Sequence, residues 1–309
     1  MQLDIDIAYT IIAFLIFFLG IVLLRYFAQR KVENNSYKPA VYIYIIWFII
    51  SFIGLGYINS TLSSLYFSVS NPFRVALINI QSIITIIIEL FIISSLVMYF
   101  YHITFEDSIF ITIQVMSIQI LMRIIVAYIL AMIFNLTYGG SIYFYIFQYW
   151  WKNEVKIMDL IIILFDVILI VMIIVLKSYF LIWLANKKNW ENDLQKSFIV
   201  NIYWSLIMVG ISVLLIFNVP LLYIAMNINY LQVPVLSTFF NLVFFALNFI
   251  IGYVLISHFY KGSHIDSFVI SLILLITEMA FIKVIQSIVI LIFGLNFGIS
   301  DGIYIFSSY

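Results

Sequence analysis

Long apolar stretches separated by short polar segments run along the whole chain. A helix needs roughly 20 apolar residues to cross the hydrocarbon core of a membrane. Since lipid offers the backbone no hydrogen-bond partner, unbroken runs of this length predict helices and not the alternating strands of a barrel. Eight stretches qualify, at about 7–24, 41–58, 75–101, 108–136, 157–184, 197–217, 235–259 and 267–293.

These stretches predict an all-α fold, a polytopic bundle of about eight transmembrane helices that forms a single transmembrane domain over residues 1–309. The first stretch has no basic segment before it and no small-residue cleavage site after it, so we interpret it as a retained helix and not as a signal peptide. The composition agrees, because 66% of the residues are apolar, 9% are charged and the mean hydropathy is +1.20. A soluble globular domain is about a quarter charged.

Composition also excludes several classes of function. The chain contains no cysteine, which excludes disulfides, zinc–thiolate sites, iron–sulfur clusters and thiol nucleophiles. Its 14 basic and 14 acidic residues balance, so nothing indicates a basic surface for nucleic acid. No glycine-rich phosphate loop, His-Glu-x-x-His motif or Gly-x-Ser-x-Gly motif occurs in the sequence. We therefore expect no enzymatic activity, no cofactor and no metal site.

Basic residues predict the orientation, because Lys and Arg favour cytoplasmic loops. The loops after spans one, five and seven carry most of them: Arg25, Arg30, Lys31, Lys38, Lys187, Lys188, Lys196 and Lys261. The opposite side carries Arg74, Lys152 and Lys156. Both termini are therefore predicted to lie outside, although the inner loop at 102–107 has no Lys or Arg. A prokaryotic plasma membrane is the expected location, with an organelle inner membrane as the alternative.

Three predicted helices on the inner side open with similar polar residues. The three openings read Glu106-Asp107-Ser108, Gln195-Lys196-Ser197 and Ile265-Asp266-Ser267. Serine or aspartate in the first turn satisfies free backbone amides and suits the helix dipole, so three similar caps are the simpler interpretation. The alternative is that spans three–four, five–six and seven–eight are duplicated helical hairpins that follow an N-terminal pair.

A short loop followed by Asp-Ser-Phe at the entry to an apolar helix, together with Asn71-Pro72-Phe73-Arg74 before a hairpin, resembles prokaryotic Yip1-type multi-pass membrane proteins. The resemblance covers about residues 71–217 and implies a non-enzymatic, membrane-organising role. That family usually has fewer spans, and the acidic Tyr-Gly-Pro signature of its eukaryotic branch is missing here.

Charged residues inside the spans cost a few kcal/mol each on insertion scales, so each requires an explanation. The candidates are Glu89, Arg123, Asp166, Glu278 and Lys283. Glu89 and Arg123 each lie about 20 Å from the outer end of their spans, so these two are predicted to pair. Asp166 and Lys283 each lie about 15 Å from that end and form the second predicted pair. Glu278 competes for Arg123, and one carboxyl is left without a charged partner.

Uncharged polar residues lie near these charges and form a predicted polar stripe: Gln119, Asn241, Asn248 and Gln286. Such a stripe, with an unpaired carboxyl, is what a proton or ion path requires. The alternative is structural, because polar side chains also join membrane helices, at about 0.6 kcal/mol each. Lys177 lies nearer a predicted helix end, where a lysine can extend its amine to the interface.

Two functions follow from this pattern. The leading hypothesis is a non-catalytic integral membrane component, either an accessory or structural subunit of a membrane assembly or a membrane-organising protein. Its expected partners are the lipid bilayer and other membrane subunits or further copies of itself, and no nucleic acid. The alternative is a small ion- or proton-coupled transporter or channel that uses the buried charges. The two differ in whether those charges converge on a hydrated cavity or form closed pairs.

Overall fold

The structure is a computed structural model that describes residues 2–32, 36–51, 61–62, 71–133, 157–191, 193–225 and 233–293. Within these ranges, only the backbone is described at 2–13, 157–166, 213–225 and 233–237 and at a few single positions that include Gln286. The described residues contain helices and no strand, which confirms the predicted all-α fold.

Eight long helices make up almost all of the described chain. In chain order they are α1 (Gln2–Ala28), α2 (Tyr37–Ile49), α3 (Asn71–Tyr101), α4 (Phe105–Ile133), α5 (Ile157–Lys187), α6 (Leu194–Ala225), α7 (Val233–Tyr260) and α8 (His264–Phe293). Most begin and end within a few residues of a predicted span. Helix α6 continues eight residues past residue 217, through Pro220, and α2 ends at Ile49, before the predicted end at residue 58.

Six helices, α3 to α8, are long and apolar enough to cross a membrane over their described residues. The helices pack side by side as a bundle, and six of them can span a membrane. The chain is therefore a multi-pass membrane protein. The sequence predicted eight spans, and the described parts of the other two helices, Phe14–Ala28 and Tyr37–Ile49, are apolar but shorter. The predicted second span continues over residues 52–58, which lie outside the described residues.

The helices group into two compact units, one ending at Val126 and the other beginning at Ala127. Unit 1 contains α1, α2, α3 and most of α4, and unit 2 contains α5 to α8. In unit 2 each helix packs against the next, and α8 packs back against α5. In unit 1, α2 packs against both α1 and α3. The prediction of one transmembrane domain over residues 1–309 stays a prediction.

Helix α4 completes the packing of unit 1 through side chains. The Gln119 side-chain amide donates a hydrogen bond to the Ile16 carbonyl of α1 at 3.1 Å. The Phe105 ring at its first turn stacks on Phe91 of α3, with the ring centroids 6.3 Å apart. Helix α4 therefore contacts both α1 and α3 within unit 1.

The helix starts of α4, α6 and α8 are capped one turn earlier than the sequence predicted. Thr104 Oγ1 accepts a hydrogen bond from the Asp107 amide, and Ser263 Oγ accepts one from the Asp266 amide. Asp193 caps α6 in the same way. The serines expected at the caps lie one turn inside the helices and are buried: Ser108, Ser197 and Ser267. These three serines therefore lie in the bundle interior and not at the helix ends.

Each unit has an ion pair that joins two of its turns. Lys31, just after α1, lies 3.2 Å from Asp107 at the start of α4. Lys188, just after α5, lies 2.7 Å from Asp266 at the start of α8. We call this end of each unit its loop end. The loop at 102–107 has no basic residue of its own, and Lys31 supplies one. The orientation of the termini stays a prediction.

The two units carry matching residues at matching places. One constant spacing in sequence separates the members of every pair: Tyr101 and Tyr260, Thr104 and Ser263, Asp107 and Asp266, Ser108 and Ser267, Thr112 and Ser271, Gln119 and Glu278. The turns also match, because His102 and Lys261 both have a positive φ, 53° and 49°. This pattern favours a repeat of four helices over the three hairpin repeats considered from the sequence.

Candidate functional site

The interior of unit 2 contains an ion pair between α5 and α8. The Lys177 Nζ atom lies 2.7 Å from the Glu278 carboxylate, and the two side chains are 1% and 2% exposed. Removing water from two charges is costly, and the cost is offset only when the geometry is close and further polar contacts are made. The short contact meets the first of these requirements.

Two residues from the remaining helices of unit 2 complete this site. The Lys177 Nζ atom lies 3.3 Å from the ring centroid of Trp204 on α6, a cation–π contact. The Trp204 indole N–H donates a hydrogen bond to Asn248 Oδ1 on α7 at 2.6 Å. Gly252 lets the ring approach α7, since a Cβ atom there would overlap it. Each helix of unit 2 thus contributes one residue to a buried polar cluster of Lys177, Trp204, Asn248 and Glu278.

Two of these placements correct the sequence analysis. Lys177 was expected to reach the interface from near a helix end, but it is among the most deeply buried residues. Glu278 was expected to compete for Arg123, and it pairs with Lys177. Helix α5 ends at Lys187 and not at the predicted residue 184, so Lys177 lies about 15 Å inside the helix.

Unit 1 holds the second group of buried charges. Glu89 on α3 is buried, and it accepts a hydrogen bond at 3.1 Å from the hydroxyl of Ser51, just past α2. Arg123 on α4 interacts electrostatically with Glu89, so the structure brings together the two residues that depth predicted as a pair. Both charges therefore have partners within their own unit.

Gln119 from the predicted polar stripe joins α4 to α1 in unit 1. Its amide bonds to the Ile16 carbonyl, and it packs with the Tyr44 ring over Gly20, where a Cβ atom would overlap both side chains. Gln119 occupies the position in unit 1 that Glu278 occupies in unit 2. In both units, this position of the last helix bonds to the first helix.

The structure describes the surroundings of the other predicted residues only in part. Asn248 belongs to the buried cluster, and Asn241 lies half-buried two turns before it on α7. The side chains of Asp166 and Gln286 lie outside the described residues. Lys283 is 5% exposed on α8. The predicted pairing of Lys283 with Asp166 stays a prediction.

The arrangement in both units is suited to joining helices. Among the residues that the structure describes, no group of three His, Asp or Glu side chains could hold a metal ion. The polar groups at the centre of unit 2 face each other, and the same helix as Lys177 carries the buried apolar side chains Leu169, Ile173 and Leu181. The Lys177 and Glu278 charges are therefore held in one geometry by their contacts with each other and with Trp204.

Comparison of the chain with family models, with curated proteins and with solved structures finds no match. The resemblance to Yip1-type proteins therefore stays a prediction.

Proposed function

We propose that this protein is a non-catalytic integral membrane component, an accessory or structural subunit of a membrane assembly or a membrane-organising protein. The observation that carries the proposal is the Lys177–Glu278 pair, because both side chains are buried and face each other at 2.7 Å. A pair that is closed in this way joins two helices of a bundle, whereas a carrier has to separate its charged groups in order to bind a substrate.

The outer faces of the helices support the same role. Large apolar side chains are exposed on every helix, for example Phe14 and Phe18 on α1 and Leu206 on α6. Lipid covers such faces, and membrane helices also associate through packing between them. We therefore expect the partners to be the lipid bilayer and either other membrane subunits or further copies of this chain.

Purification from native membranes in a mild detergent, followed by mass spectrometry of the intact complex, tests this proposal. The expected result is a complex with a fixed stoichiometry of partner chains that survives a change of detergent. A monomer in every detergent would contradict the accessory-subunit role.

A small ion- or proton-coupled transporter is the second candidate, and the repeat of four helices favours it. Many transporters consist of internal repeats with polar sites within the membrane. Reconstitution into vesicles tests it, with Glu89→Gln and Glu278→Gln compared with Glu106→Gln, whose side chain is exposed at a helix start. Flux that both buried substitutions abolish and Glu106→Gln leaves intact would favour transport over the structural role.

A further inference from the structure

A row of buried polar residues runs along unit 2 from its loop end to the depth of its ion pair. We call Tyr260, Ser197, Ser178, Asn201 and Ser205 the polar column. Ser197, Asn201 and Ser205 follow each other at intervals of one helical turn on α6, so they lie on one face of that helix. Their exposed fractions are 0%, 0% and 3%. A polar face buried between apolar helices needs an explanation.

Hydrogen bonds connect the residues of the polar column that lie nearest the loop end. The hydroxyls of Ser197 and Tyr260 lie 2.7 Å apart. The Asn201 side-chain amide donates to Ser178 Oγ at 3.2 Å and to the Ser197 carbonyl at 3.0 Å. Lys177 directly precedes Ser178, and Trp204 lies three residues after Asn201. The polar column therefore reaches the same depth along α5 and α6 as Lys177 and Trp204.

The polar column begins among exposed residues at the loop end of unit 2. Tyr260 is the last residue of α7, and its ring lies against Lys196 and Trp190, with centroid distances of 4.7 Å to the Lys196 Nζ and 5.6 Å to the Trp190 ring. Glu191 and Lys261 nearby are exposed. The Tyr260 ring is therefore adjacent to exposed residues at the loop end, although Tyr260 itself is buried.

Three buried polar atoms at this end of unit 2 have no hydrogen-bond partner among the described residues: Asn201 Oδ1, Ser205 Oγ and Ser267 Oγ. A buried polar atom without a partner costs about 1–3 kcal/mol. Buried water molecules usually satisfy such atoms, since each makes about three hydrogen bonds. Two of the three atoms lie on the polar column itself.

We propose that the polar column binds a file of ordered water molecules that connects the loop end of unit 2 to the Lys177–Glu278 pair. This goes beyond the proposed structural role, because it gives a buried carboxylate and a buried ammonium contact with solvent from one side of the membrane. Protons then exchange with the pair from the loop end.

Solid-state NMR of the isotope-labelled full chain in lipid vesicles tests the proposal, by transfer of magnetisation from water protons to the Asn201 side-chain amide and the Lys177 ammonium. Both groups are expected to receive the water signal. A Ser197→Val substitution, which places methyl groups at the entry, is expected to abolish it. Ser212→Val is the matched control, because Ser212 is equally buried on the same helix, far from the loop end.

Absence of the water signal at Asn201 and Lys177 in the unmodified protein, with the signal present at the loop lysines, would overturn the proposal. This result needs no variant, so it stands even where Ser197→Val does not fold. Loss of the signal in Ser212→Val with its retention in Ser197→Val would also overturn it, because water would then enter from the other end.

Discussion

At the scale of single residues, the Lys177 ammonium is held in an apolar bundle by two different contacts. The Glu278 carboxylate lies 2.7 Å from it, and the face of the Trp204 ring lies 3.3 Å from it. Trp204 is in turn fixed by its hydrogen bond to Asn248. The lysine therefore has a defined position, and the position depends on all three partners.

Removing one member of the ion pair is expected to destabilise the protein more than removing both. Lys177→Met leaves the Glu278 carboxylate buried without its cation, which costs about 3–5 kcal/mol. The double variant Lys177→Met, Glu278→Leu leaves no buried charge, so it is expected to recover most of the loss. Thermal unfolding in detergent measures both, with the exposed Lys261→Gln as the control. Lys177→Met and Glu278→Leu are also made alone. If their separate effects on stability add up to the effect of the double variant, the pairing is contradicted.

Two glycines provide a matched test of the packing around Trp204. Gly252→Ala places a Cβ atom against the Trp204 ring, and overpacking of this kind costs about 1–3 kcal/mol. Gly210→Ala on α6 meets nothing within 4 Å, and alanine favours a helix by about 0.5–1 kcal/mol over glycine. Unfolding measurements are therefore expected to show opposite signs for the same substitution. Equal effects at the two sites would mean that Trp204 does not pack on α7.

At the scale of helices, apolar run length predicted the elements well and their ends less well. The runs are long enough for lipid to require a helix, and so the eight helices agree with the eight predicted stretches. The ends depend on single caps, and Thr104, Asp193 and Ser263 are short polar residues among many in the turns. The error of three residues at the end of α5 was enough to assign Lys177 to the interface.

The cap of α8 has a measurable contribution. Ser263→Ala removes the acceptor for the Asp266 amide and is expected to cost about 1 kcal/mol. Hydrogen exchange at the first turn of α8 measures the effect, which should be faster exchange confined to that turn. Ser263→Thr retains both the acceptor for the Asp266 amide and the hydroxyl that donates to Asp266 Oδ2, so it should exchange like the unmodified protein. Unchanged exchange in Ser263→Ala would show that another group caps the helix.

At the scale of the whole molecule, the repeat of four helices is the feature that sequence reasoning missed. The serines of the three helix starts were recognised, but unequal spacings hid the pairing of the first with the third. Three of the six pairs are identical, and the other three keep only their polar character, as with Gln119 and Glu278. Gln119 and Glu278 share one property, because each bonds to the first helix of its unit: Gln119 joins α4 to α1, and Glu278 joins α8 to α5. That relation is visible only in three dimensions.

The depth argument for buried charges succeeded for Glu89 and Arg123 and not for Lys177 and Glu278. Adjacent helices joined by a short turn have a register set by that turn, so depth along the sequence converts directly into proximity. Helices α5 and α8 are distant in sequence, and their register is set by packing and by the Lys188–Asp266 pair. Sequence alone does not provide that register.

The positive-inside pattern predicts where the two loop ends lie. The chain has no cysteine, so single substitutions give clean labelling sites. Gln29→Cys and Glu191→Cys are both exposed in turns at the loop ends, and a membrane-impermeant maleimide is expected to label both from the cytoplasmic side only. Asn153→Cys, in a predicted outer loop, is expected to react from the opposite side. Labelling of Gln29→Cys and Glu191→Cys from different sides would contradict the predicted topology.

The central claim is that this protein is a structural component of a membrane assembly, and that its buried charges join its own helices and do not bind the partners. The most direct measurement is the mass of the complex isolated from native membranes, compared between the unmodified chain and the double variant Lys177→Met, Glu278→Leu. We predict that both chains carry the same partners in the same stoichiometry, because the apolar pair preserves the bundle. A well-folded double variant that loses its partners, or an unmodified chain that has none, would contradict the claim.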